Sequence, residues 1–152
     1  FSLFHVIIHN EDFEFVVGKA EKMREGQDVT IIACGIMVNA ALEAAKELRS
    51  SSNVECRVLN MATLKPVDTQ AIASAARETG AIVTAEEHYL VGGLGSLVSQ
   101  TTAVLEPVPI ENVGMSGYAE SGKPNELLEK YHLMPSDIVK AVRKVMDRKS
   151  AN

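Results

Sequence analysis

The chain has 152 residues, 46% of them hydrophobic and 23% charged, enough for one domain with a real core, since a chain of this size buries about 70% of its unfolded surface. A formal net charge of −5, with no cluster of Lys or Arg, excludes the basic stripe of a nucleic-acid surface and offers nothing to an anionic membrane. No apolar run approaches the roughly 20 residues of a membrane span, and "FSLFHVII" lacks the flanks of a signal peptide, so the expectation is a cytoplasmic protein.

Residues 1–12 read as a linker or strand arriving from a missing preceding domain, 13–148 as the domain itself and 149–152 as a tail. "DFEFVVGKAEKMRE" alternates rather than running apolar, which suits an edge strand antiparallel to the others. "GQDVTIIACG" is a continuous apolar run closed by Gly35, the pattern of a strand buried on both faces. The period then changes. Val38, Ala41, Leu42, Ala45 and Leu48 fall on one face of a helix that fades into "SSSN". "VECRVLNM" is the next strand, closed by Pro66. Asp68 is placed to cap a helix lined by Ala71, Ile72, Ala75 and Ala76 and ended by Gly80. "AIVTAEE" is the third strand of the run, followed by a glycine-rich turn and a helix with Leu97, Val98, Thr101, Val104 and Leu105 on its apolar side. Pro107 and Pro109 break that helix and introduce the strand "IENVGM". Two helices close the chain, with Pro124 and Pro135 at their first positions, and the last buries Ile138, Ala141, Val142, Val145 and Met146. Cys34 and Cys56 lie inside apolar runs and read as reduced, structural thiols.

This alternation predicts a three-layer α/β/α domain, with a mostly parallel sheet of about five strands and one antiparallel edge strand.

Three stretches carry the residue types of chemistry. "GYAESGK" has phosphate-loop spacing, but Pro124 stands where the loop needs a hydroxyl and a backbone N–H. Ser121, Gly122 and Lys123 are kept only as a candidate weak anion site at a helix start. "GGLGS" has no third glycine at the dinucleotide spacing and lies too far beyond its strand for the tight turn such a site needs. In "TAEEHY", neighbouring side chains point to opposite faces of the strand, so Glu87 is separated from Glu86 and His88. His5, His9 and His132 have no spacing that completes a metal set or a nucleophile triad with them. No catalytic, cofactor or metal ligand is therefore assigned.

Glu86, Glu87, His88, Tyr89, Gly92, Gly93 and Gly95 read instead as an interface. Bare glycine backbone admits a second surface, and Tyr89 and Leu90 are apolar groups that seek cover. On this reading Gly93→Val weakens assembly more than it unfolds the domain.

"EGQDVTIIACGIMVNAALEAAKEL", "CRVLNMATLKPVD", "IVTAEEHYLVGGLGS" and "ESGKPNELLEKYHLMPSDIVKAV", in this order, resemble the carboxy-terminal domain of transketolases, from about Phe13 to Met146. Deoxyxylulose-phosphate synthases and the β subunits of 2-oxo-acid dehydrogenases share part of the set. "SGKPNELLEKY" is closer to transketolase proper, including the split form made of two chains. The resemblance implies a transferase of carbohydrate metabolism, in the pentose phosphate manner, that moves ketol units between sugar phosphates with thiamine diphosphate and Mg²⁺. In the family, the preceding domains bind both groups. It also implies that this fragment is a non-catalytic assembly domain in a homodimer or heterotetramer. The competing readings are the carboxy-terminal domain of a deoxyxylulose-phosphate synthase or 2-oxo-acid dehydrogenase β subunit, and a stand-alone regulatory or anion-binding domain.

Overall fold

The computed structural model describes residues 13–151, so the stretch 1–12 lies outside the described residues. Five strands and five helices follow the chain as β1 (Glu21–Arg24), β2 (Val29–Ala33), α1 (Met37–Ser52), β3 (Cys56–Asn60), α2 (Thr69–Thr79), β4 (Ile82–Tyr89), α3 (Leu94–Leu105), β5 (Ile110–Met115), α4 (Pro124–Lys130) and α5 (Pro135–Ser150). The sheet order is β1-β3-β2-β4-β5. β2, β3, β4 and β5 run parallel, and β1 joins the edge antiparallel to β3, with Glu21 opposite Asn60.

The period-2 alternation of each strand feeds two separate cores. Val29, Ile31, Val58, Val83 and Ala85 meet α1 and α5 through Ala41, Leu48, Ile138 and Val142. Ile32, Leu59 and Ile82 meet α2 and α3 through Ile72, Ala76, Leu94 and Val98. The three expected layers are therefore present, with the sheet covered on both faces.

Local signals set most of the boundaries. The Asp68 carboxylate accepts from Ala71 N at 3.0 Å, capping α2, and α2 ends on Gly80 in the left-handed region. Pro124 and Pro135 open their helices at the first turn. Four expectations change. β1 is only Glu21–Arg24, because the chain before it runs outside the sheet. α1 continues through all three serines to Asn53 at φ 56°, with the Ser50 hydroxyl bonded back to Lys46 O. α5 continues to Ser150, so 149–150 are helix rather than tail, and the Lys149 ammonium donates to Asp28 O and Thr79 O at 2.9 and 2.8 Å.

The fourth change concerns α3, which buries Leu94, Gly95, Val98 and Thr102, leaving Val104 82% and Leu105 52% exposed. The i, i+4, i+8 face begins at Leu94, and the Thr102 hydroxyl satisfies itself on Val98 O. That lets a polar residue take the inner position that Val104 and Leu105 were expected to share.

Asp68 does two things at once, since its second oxygen accepts from Ala20 N at 3.0 Å just before β1. Asp68→Ala is expected to cost about 2 kcal/mol, combining a lost cap with a lost buried bond, read as a shift in the urea midpoint. A loss below about 0.5 kcal/mol would separate this tether from global stability.

Candidate functional site

The candidate site is the connection from β4 to α3. β4 pairs with β5 in regular register up to Ala85↔Val113 and is paired again at Tyr89↔Met115, so four residues of one strand span two of the other. The extra length forms a bulge in β4 at Glu87 and His88, and both are exposed. His88 does not meet Glu86: its Nδ1 lies 3.1 Å from Tyr89 O. Among the described residues no group of three or more His, Cys, Asp or Glu side chains is placed to hold a metal ion.

Glu86 behaves differently from its neighbours. It is 1% exposed, on the strand face that carries α3. One carboxylate oxygen accepts from Leu94 N at 2.7 Å and the other from Gly95 N at 2.8 Å. These are charge-assisted bonds to the positive end of a helix that has no acidic residue in its first turn and a glycine at its N-cap. The cap comes from a strand residue eight positions upstream of the first N–H it holds.

The glycines answer to this arrangement. Gly93 is buried, and a Cβ there would overlap the Glu86 carboxylate. Gly95 is also buried, and a Cβ there would stand 2.7 Å from Asn112 Oδ1 and 3.1 Å from Thr84 Oγ1. The surface that approaches these two glycines is the chain's own. Gly93→Val is thus an insult to the fold itself, and the expected separation of assembly from stability does not hold for that substitution. Gly92, Glu87, His88 and Tyr89 stay at the surface.

A second clamp shapes the turn. Gly92 N donates to Ser96 Oγ at 2.9 Å, and that hydroxyl donates to Leu90 O at 2.9 Å. Tyr89 continues the network outward. Its hydroxyl accepts from Ala119 N at 3.3 Å, and its ring stands edge-on to Tyr118 with centroids 6.5 Å apart. Tyr89, Leu90, Val91, Met115, Ser116, Gly117 and Tyr118 line a recess of about 510 Å³ between the loops after β4 and β5. Val91 and Tyr118 are 90% and 94% exposed. Sequence reasoning passed over both. The signal was an apolar or aromatic residue next to a loop glycine, Val91 before Gly92 and Tyr118 after Gly117, at the carboxyl ends of adjacent strands.

Ser121, Gly122 and Lys123 are exposed, and Lys123 lies 3.6 Å from Glu126 in its own helix.

A family model described as the transketolase C-terminal domain matches residues 18–138. The chain belongs to this family. Over 146 residues it is 44% identical to the 6-deoxy-6-sulfo-D-fructose transketolase subunit SqwH of a Clostridium species, covering 95% of this chain and 45% of that one. It is 42% identical to one of the subunits of the apulose-4-phosphate transketolase of Phocaeicola vulgatus, covering 88% of this chain and 43% of that protein. A solved structure titled as a split-gene transketolase in an inactive beta4 tetramer superposes with TM-score 0.92 at 43% identity, over 95% of this chain and 47% of that one. This transketolase carboxy-terminal domain thus spans less than half the length of these relatives.

Cys34 follows β2 and stands within the field of Glu86. Burial, with the Glu86 charge adding to it, pushes its thiol up to about 11, and burial pushes Cys56 up to about 12. Both thiols are neutral near pH 7 and poor nucleophiles. Raised folded-state values mean that the unfolded chain releases its thiol protons first. Their contribution to stability is whole below about pH 9 and is lost as pH rises toward 11 and 12. Wild type is expected to lose stability relative to Cys34→Ala across that window in urea titrations at stepped pH. Parallel curves would show that Cys34 titrates alike in both states.

Proposed function

We propose that this domain assembles a thiamine-diphosphate-dependent transketolase: it joins the cofactor-binding domains, in the same chain or a partner subunit, and is inactive in ketol transfer by itself. The observation that carries this reading is the distribution of exposed apolar side chains. Four strands are parallel, so their carboxyl ends share one edge of the sheet. Ile36 follows β2 there, Tyr89 and Val91 end β4, and Tyr118 follows β5. Phe15, Val16 and Val17 join them, because β1 is antiparallel and is entered from that edge, with Gly18 N bonded to Thr63 after β3. Of the large apolar side chains exposed among the described residues, Phe15, Val16, Val17, Ile36, Tyr89, Val91 and Tyr118 lie at this end, while Val104 and Leu105 lie on α3 away from it. Concentration on one end favours a docking face over scattered surface residues, which need no explanation.

The relatives are consistent with it. Two are named as transketolase subunits, and the structural neighbour is titled as an inactive tetramer of one subunit type. The substrate is read as a sugar phosphate or related ketose, and the metabolic setting as carbohydrate interconversion. This chain's described residues do not fit thiamine diphosphate or its metal. Glu86 already fills the N–H groups opening α3, Pro124 opens α4, and no metal cluster is present among them. No step of ketol transfer is assigned to these side chains.

Val91→Asp and Tyr118→Asp test the reading. Each removes apolar area worth about 2 kcal/mol when buried and adds a charge, so association of the whole transketolase carrying this chain is expected to weaken about tenfold or more. Sedimentation velocity reads the association, and urea midpoints should stay within about 0.5 kcal/mol. Unchanged association in both variants, or ketol transfer by the isolated chain with added thiamine diphosphate and Mg²⁺, would overturn it.

A further inference from the structure

We infer that Glu86 is the positioning residue of the assembly loop: its buried carboxylate, held on two N–H groups of α3, fixes where Tyr89 and Val91 stand and thereby controls association with a partner it never touches. The inference rests on the assembly reading above.

At 1% exposure Glu86 cannot meet a partner. Its backbone begins the loop at residue 86 and its side chain ends the loop at Leu94 and Gly95, so one residue closes a ring around 87–93. One crosstie braces that ring and one bond anchors it to β5. Ser96 Oγ joins Gly92 N to Leu90 O, and Leu90 N donates to Met115 O at 3.0 Å. Tyr89 then carries the arrangement to the β5 loop through Ala119 N and the Tyr118 ring. The exposed Val91 and Tyr118 are thus joined to a chain of contacts whose inner end is the carboxylate.

The chemistry of Glu86 is specific. Both oxygens accept, and both donors are backbone N–H groups with no other acid in the helix's first turn. A glutamine keeps the shape but turns an NH₂ toward one of the two N–H groups, leaving a buried donor without an acceptor. Gly93 supplies an independent handle, because a Cβ there overlaps the same carboxylate.

Glu86→Gln, Gly93→Ala and their double variant are compared in the whole transketolase carrying this chain. Sedimentation velocity reads association, and hydrogen exchange reads the Leu94 and Gly95 amides. Either single variant is expected to weaken association about fivefold or more with loss of protection at both amides. The double variant is expected to be no more than about twofold worse than the worse single, since both substitutions remove one contact. Ile72→Val, a core truncation in α2 away from the loop, controls for stability and should leave association within about twofold.

Wild-type association in Glu86→Gln with both amides unprotected, or losses that multiply in the double variant, would overturn the inference. So would an Ile72→Val loss as large as that of Glu86→Gln at matched stability. If Val91→Asp also leaves association unchanged, the assembly reading itself fails; if Val91→Asp dissociates the protein while Glu86→Gln does not, only the positioning role fails. Should Glu86→Gln not fold, Ser96→Ala removes the crosstie and leaves the carboxylate in place. Weakened association then supports positioning through the loop, and unchanged association overturns it.

Discussion

Every residue of β2, Val29 through Ala33, is sealed from water. A strand in that position needs all its backbone groups paired and both its faces covered, because an unmet N–H or C=O there has no solvent to turn to. β3 and β4 supply the pairing on either side. α1 with α5 covers one face and α2 with α3 the other. The single polar side chain in the strand is tolerated because Thr30 meets the Thr79 hydroxyl at 2.9 Å, which in turn bonds Ala75 O. No layer can be removed without exposing this strand.

From that constraint follows the position of the apolar end. A central strand flanked by parallel neighbours sends each connection over a helical layer and back, so all the outgoing loops gather at one edge of the sheet. Those loops are free of the sheet's packing demands, and this is where the exposed Ile36, Val91 and Tyr118 are found. At the amino ends of the strands the demands differ. There Lys149 reaches from the last turn of α5 to Asp28 O and Thr79 O, tying three elements by backbone contact. One end of the domain is tied by these bonds and the other presents most of the exposed apolar surface.

The parts that were legible from sequence are those whose causes are local. Asp68 and Gly80 bracket α2, Pro124 and Pro135 open their helices, and Pro107 and Pro109 isolate a β5 that runs over the residues "IENVGM". α3 was harder because its apolar residues nearly encircle it, so periodicity could not choose between the Leu94–Val98–Thr102 face and the one through Val104. Glu86 was illegible for another reason. Capping signals in sequence are sought within three residues of a helix start, whereas this carboxylate comes from inside the preceding strand. Read locally, Glu86 is one of a pair of acids next to a histidine. Alternation along the strand turns Glu87 away, and the register break after Ala85 separates Glu86 from His88 as well, leaving Glu86 inward and both neighbours to solvent.

The same residue decides what the start of α3 presents. In such sheets the crevice lies where the strand order reverses, and the N–H groups of a following helix are what an anionic ligand binds. In this chain the reversal falls between β2 and β4, and α3 is the helix that follows β4. Its first N–H groups are already taken by the Glu86 carboxylate, and Gly93 leaves room for that carboxylate and nothing larger. An internal anion thus stands where a phosphate would. It takes up the first N–H groups of α3 and spends the helix dipole on holding a loop in place.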